Sequence, residues 1–125
     1  MMTAKVLGAD LNIKILNILK KEQLTPEFIK VNPQHTIPTL NDNGFVISES
    51  RAIAAYLADS SPNGEEIYPK DIKKRARVEE MLYFDIGRLY SNFIGTYWRL
   101  LPLNPGGALI SPIGHKIIIL SRSII

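Results

Sequence analysis

The chain has 125 residues, 46% apolar and 22% charged, with no cysteine. That length suffices for one core burying about two-thirds of the surface of the unfolded chain. The composition excludes a collagen-like, disulfide-stapled or wholly disordered chain. No apolar run approaches the roughly 20 residues needed to span a bilayer, and no signal-peptide pattern opens the sequence. The absence of cysteine excludes thiol catalysis and thiolate-held metal and fits a soluble intracellular protein. The net charge of +3 is unevenly spread: residues 101–125 hold Lys116 and Arg122 with no acid, leaving 13 basic and 12 acidic side chains for the first hundred residues. The same last fifth holds three of eight prolines and three of eight glycines. The sequence therefore divides into a body, 1–100, and a compositionally distinct tail.

Residues 2–7 read as the end of a helix stopped by Gly8. Residues 12–19 (NIKILNIL) nearly alternate apolar and polar and read as a strand, with a short helix as the rival reading. Thr25-Pro26-Glu27 is a helix start, with Thr25 as cap, Pro26 at the first helical position and Glu27 at the positive end of the dipole; Pro33 ends that helix. Asn43-Gly44, closing the turn that begins at Asn41, predicts a hairpin between strands at 37–40 and 45–47. Ser48-Glu49-Ser50-Arg51 opens the next helix, with an apolar stripe of Ile53, Ala54 and Leu57, closed by Ser60-Ser61-Pro62-Asn63-Gly64. After a linker, Asp71 caps a long helix to about Leu100, in which Val78, Leu82, Ile86, Leu89, Phe93 and Tyr97 recur at spacings of three and four. Met81, Phe84, Tyr90, Ile94 and Trp98 widen that stripe, so the helix calls for two packing partners, such as its own core and another subunit. Asp85 interrupts it.

Three segments carry a resemblance to a known family: Asn32-Pro33-Gln34-His35-Thr36-Ile37-Pro38-Thr39-Leu40, Ser48-Glu49-Ser50-Arg51-Ala52-Ile53 and Tyr68-Pro69-Lys70-Asp71, continued by Leu82-Tyr83-Phe84-Asp85. In this order and spacing the body, roughly residues 2–98, resembles a cytosolic glutathione transferase of the insect delta/epsilon type. The resemblance implies a thioredoxin-like α/β N-terminal half lacking its first strand (1–60), a linker (61–70), the first long helix of an all-α C-terminal domain (71–100) and a divergent tail (101–125). It implies a cytoplasmic homodimer that adds the thiolate of glutathione, a co-substrate, to small electrophiles in detoxification, with no metal, nucleic acid or membrane partner.

The implied glutathione-binding residues are His35, Ile37, Pro38, Glu49, Ser50 and Arg51, with Asp85 in a supporting electrostatic network with Arg51. Glutathione carries two carboxylates, an ammonium and a thiol. A cis Pro38 would turn the backbone of Ile37 outward to pair with the cysteinyl unit like an added strand. Ser50 at a helix N-terminus suits the γ-glutamyl carboxylate. Glu49 suits the ammonium, His35 the glycyl carboxylate, and Arg51 adds positive charge. Each residue also has a plainer reading: a trans turn proline at 38, a helix cap at Ser48 or Ser50, solvated charges at Glu49 and Arg51, a loop histidine at 35, and a helical pair of Asp85 with Arg88.

Two departures from the family pattern stand out. The first strand, which lies between the second and third strands in this family, and the catalytic serine just after it fall upstream of Met1, so no catalytic residue is assigned within the chain and conjugation is expected to be impaired. After Trp98 the sequence does not follow the family's helical domain, which leaves Phe93, Tyr97 and Trp98 without cover. A smaller departure is Gln23, where delta-type relatives often carry a histidine near the glycyl carboxylate. The tail reads either as a segment with no evolved role or, through Lys116-Ile117-Ile118-Ile119-Leu120, as a substitute strand. The alternative functions are a non-catalytic glutathione-binding or dimerisation fragment and, from Lys73-Lys74-Arg75-Ala76-Arg77, a nucleic-acid patch. The adjacent Glu79 and Glu80 and the lack of interleaved aromatics make that last cluster read as a solvated helix face.

Overall fold

The computed structural model describes residues 2–18, 20–100 and 116–122, with residues 94, 97–100 and 116–122 described by their backbone alone. The expectations for residues 101–115 and for the side chains of Tyr97 and Trp98 lie outside the described residues. The chain divides into two compact units, one of residues up to Ile67 together with the C-terminal strand, the other beginning at Tyr68.

In the first unit, α1 (Met2–Leu7) ends at Gly8, whose φ of 63° closes the helix in the left-handed region. Strand β1 (Asn12–Asn17) is shorter than the alternating run that predicts it. Asn17 is its last residue, with its N–H donated to the carboxylate of Glu22 at 2.6 Å. Helix α2 (Pro26–Val31) starts as its sequence predicts: the Thr25 hydroxyl accepts the N–H of Phe28 at 3.4 Å and Pro26 fills the first position. Thr25→Ala is expected to lower stability by about 1 kcal/mol, the ordinary worth of such a cap, read as a lower urea midpoint at unchanged slope.

The hairpin forms from β2 (Thr39–Asp42) and β3 (Phe45–Ser48), joined by Asn43 (φ 50°) and Gly44 (φ 94°). The first strand begins two residues later than its apolar run suggests, because Pro38 has no N–H for the ladder. It also runs further, with Asn41 opposite Val46 and Asp42 opposite Phe45. Helix α3 (Ser50–Asp59) buries Ile53, Leu57 and Ala58; Ala54, expected on the stripe, is only half-buried. Tyr56 ties this helix to the hairpin by donating its hydroxyl to Asp42 Oδ2 at 2.8 Å and placing its ring 5.3 Å from that of Phe45.

The fourth strand, β4 (Lys116–Arg122), lies between β1 and β2, giving the order β1-β4-β2-β3. It is antiparallel to β1 and parallel to β2. Ala4, Leu7, Leu16, Phe28, Leu40, Ile53, Leu57 and Ala58 form the core, with Leu40 wholly enclosed at 0% exposure.

In the second unit, α4 (Ile72–Phe84) is capped by Asp71, whose carboxylate accepts the N–H of Lys74 at 2.9 Å. The long helix is not uniform. Residues Asp85–Tyr90 form a π-helical stretch before α5 (Ser91–Leu100), and the Ser91 hydroxyl donates to the Ile86 carbonyl at 2.8 Å. An extra residue in one turn rotates the following face by about 100°. Much of the apolar arc is open: Met81, Phe84, Ile86, Leu89 and Tyr90 are exposed and Phe93 is 54% exposed. Arg75 stacks 4.4 Å over the Tyr68 ring and donates to the Pro69 carbonyl, and Arg77 pairs with Glu80 at 2.7 Å, so two of the five residues in the basic cluster are engaged locally. No helix among the described residues is long and apolar enough to cross a membrane.

Candidate functional site

The site begins with a loop that the chain must hold without regular structure. Residues 33–38 connect α2 to β2, and their anchor is Asn32, which is 4% exposed. Its amide nitrogen donates to the Thr36 carbonyl at 2.9 Å, to Thr36 Oγ1 at 3.2 Å and to Thr39 Oγ1 at 3.0 Å. Its side-chain oxygen accepts the N–H of Gln34 at 3.1 Å, and its backbone carbonyl accepts that of His35 at 2.8 Å. Thr39, wholly buried, closes the cluster by donating its hydroxyl to the Thr36 carbonyl at 2.8 Å. A buried amide and a buried hydroxyl that satisfy one another and the backbone fix a loop as firmly as a ladder does. Neither Asn32 nor Thr39 stands out in the sequence as a site residue. The signal available is an Asn before Pro33 with two threonines four and seven residues on, the spacing of a side chain that folds a loop back on itself.

The anchored loop presents His35, exposed and with φ 44°, and then the Ile37–Pro38 peptide bond, which is cis. Among the described residues, the N–H and C=O of Ile37 have no hydrogen-bond partner.

The hairpin brings the second group beside the first. Thr39 pairs with Ser48, so Ile37 and Pro38, just before Thr39, share one end of the hairpin with Glu49 and Ser50, just after Ser48. Glu49 has φ 76° and ψ 111°, a conformation costing about 1–3 kcal/mol for a residue with a Cβ. That bend turns the chain from β3 into α3. The first-turn N–H groups of a helix have no acceptor within it, and the Glu49 side chain caps none of them. Ser50 is the first residue of α3, and its Oγ accepts a hydrogen bond from Arg51 Nη1 at 2.7 Å. The result is a hydroxyl, a guanidinium and the positive end of a ten-residue helix at one place, a combination suited to a carboxylate. Asp85 lies in the other unit, half-buried at the start of the π-helical stretch. Gln23 lies in the short 3₁₀ turn Glu22–Leu24, its side-chain oxygen shut off from solvent and without a partner among the described residues. Among the described residues no cluster of three or more His, Asp or Glu could hold a metal ion.

A family model described as glutathione S-transferase, N-terminal domain, matches residues 1–59. Residues 1–59 form a glutathione S-transferase N-terminal domain. Solved structures agree with it. A delta-class glutathione transferase of Nilaparvata lugens is 52% identical, with a TM-score of 0.76, over 88% of this chain and 50% of that one. An epsilon-class glutathione S-transferase of the housefly, Musca domestica, is 38% identical, with a TM-score of 0.71, over 82% and 46%. A glutathione transferase homologue of Drosophila mojavensis, solved with bound glutathione, is 38% identical, with a TM-score of 0.66, over 74% and 46%. The chain thus spans about half the length of the transferases it matches. Its thioredoxin-like half carries the glutathione transferase fold, and the long helix of α4 and α5 follows it.

Proposed function

We propose that this chain binds glutathione at the end of the β2–β3 hairpin. In this reading the backbone of Ile37, before cis-Pro38, takes the cysteinyl unit. Ser50 and the α3 N-terminus take the γ-glutamyl carboxylate, with Arg51 adding charge. Glu49 takes the ammonium and His35 the glycyl carboxylate, with Asp85 as a supporting acid. The observation that carries the proposal is the register that brings Ile37–Pro38 and Glu49–Ser50 to one end of the hairpin. The reaction class is addition of the glutathione thiolate to small electrophiles, a detoxifying conjugation carried out in the cytoplasm by a homodimer.

None of the residues proposed for the site supplies a hydroxyl for the thiol, and a thiol without such a donor ionises little at neutral pH. Conjugation by this chain is therefore proposed to be slow while binding persists. The exposed apolar arc of α4 and the π-helical stretch favours a second role, in which the chain serves as a glutathione-binding or dimerisation module. The test is retention on immobilised glutathione with elution by free glutathione, alongside turnover of a general electrophile. Retention with turnover near the uncatalysed rate is the expected pair of results. Failure to be retained would remove the binding proposal, and turnover well above background would remove the claim of slow conjugation.

A further inference from the structure

The centre of the sheet in the first unit is filled from the far end of the sequence. β4 pairs along β1 over six positions, from Asn12 opposite Ser121 to Asn17 opposite Lys116, and along β2 from Thr39 beside Ile119 to Asp42 beside Arg122. In the described sheet β1 has no other strand neighbour, so its ladder exists only through β4. A strand that led into α1 and on to β1 beside it would be joined by a helical crossover, and such a connection makes the two strands parallel. β4 is antiparallel to β1. It therefore occupies the slot between β1 and β2 with the polarity opposite to that of a strand entering through α1.

The sequence of the segment suits the slot. Ile117-Ile118-Ile119-Leu120 is apolar at consecutive positions and mostly β-branched, the pattern of a strand covered on both faces, and Lys116 and Arg122 bound it with charge. An edge strand with one wet face alternates instead. These four residues account for no part of the proposed glutathione site.

We infer that residues 116–122 are a built-in donor strand: the chain completes its own glutathione-binding unit by inserting its C-terminal segment, in reverse polarity, between β1 and β2. The segment acts within one molecule, and the unit owes the order of β1 to it.

Because the chain has no cysteine, the pairing can be read by engineered disulfides in the full chain without background. Opposed positions of an antiparallel pair have Cα atoms about 4.5–5.5 Å apart, within the span of a disulfide. Ile13→Cys with Leu120→Cys, directly opposed in the structure, is expected to oxidise to a bond within one chain, seen as loss of two hydrogens by mass at monomer size. Ile13→Cys with Ile117→Cys would meet only if the strand ran the other way along the same span. In the structure Ile117 pairs with Leu16, three residues or about 10 Å along the strand from Ile13, and no bond is expected. Failure of the first pair, closure of the second, or a first-pair bond joining two chains each overturns the inference. Ile118→Pro removes a backbone donor from a strand paired on both sides and is expected to lower the unfolding midpoint of the full chain; an unchanged midpoint also overturns it. Neither readout depends on glutathione, so they fail independently of the binding proposal.

Discussion

Replacing Asn32 with alanine is expected to cost about 2–4 kcal/mol of stability, at the upper end for a single polar side chain. The amide donates to three acceptors and accepts from Gln34 while only 4% exposed. Alanine removes all four interactions at once. It takes from the buried Thr39 hydroxyl the donor it accepts from and leaves a void the size of the lost amide. In a domain whose whole stability is of order 5–15 kcal/mol, the substitution removes a large share. The expected signature is a lower urea midpoint with weaker glutathione retention, since residues 33–38 lose their tether. Asn32→Asp separates geometry from chemistry. It is nearly isosteric, but it replaces the donating nitrogen with an oxygen facing the Thr36 carbonyl. It is expected to destabilise at least as much as alanine. Recovery of stability in the Asp variant would show that shape, and not donation, holds the loop.

Ser50→Ala is expected to weaken glutathione binding about 10- to 100-fold while leaving the fold nearly unchanged. A hydrogen bond to a charged group is worth about 1.5–3 kcal/mol, and 1.4 kcal/mol is tenfold in Kd. The small stability effect follows from the structure: Glu49, not Ser50, occupies the cap position, and the described partner of the serine hydroxyl is Arg51 at 2.7 Å. Calorimetric titration with glutathione and with S-methylglutathione checks the assignment. If Ser50 serves the γ-glutamyl carboxylate, both ligands lose affinity by the same factor. Loss confined to the free thiol would place Ser50 at the sulfur, and a change under twofold for both would remove it from the site.

Much of the fold was legible because it is set by neighbours in sequence. Gly8 ends α1, Thr25-Pro26 starts α2, Asn43-Gly44 turns the hairpin and Asp71 caps α4, each through contacts within a few residues. The candidate residues were legible as well, since His35, Ile37, Pro38, Glu49, Ser50 and Arg51 fall in two short motifs that the hairpin register joins. The bend at Glu49 was not legible, because a positive φ at a residue with a Cβ is imposed by the elements it connects and contradicts local preference. Nor was the π-helical stretch at Asp85–Tyr90, whose side-chain spacings differ from those of an α-helix by one residue. The buried pair Asn32 and Thr39 was missed because two small polar residues in a loop carry no periodic signal until the loop closes around them.

The sequence by itself determined the capping and turn chemistry and the two motifs that meet at the hairpin, because those depend on interactions a few residues long. Tertiary structure alone decided that a strand some hundred residues from β1 fills the middle of the sheet, and in which direction. Strand polarity and neighbour choice are settled by backbone groups that must find partners across the whole unit, and β-propensity in residues 117–120 suits a strand without deciding that one forms or beside what.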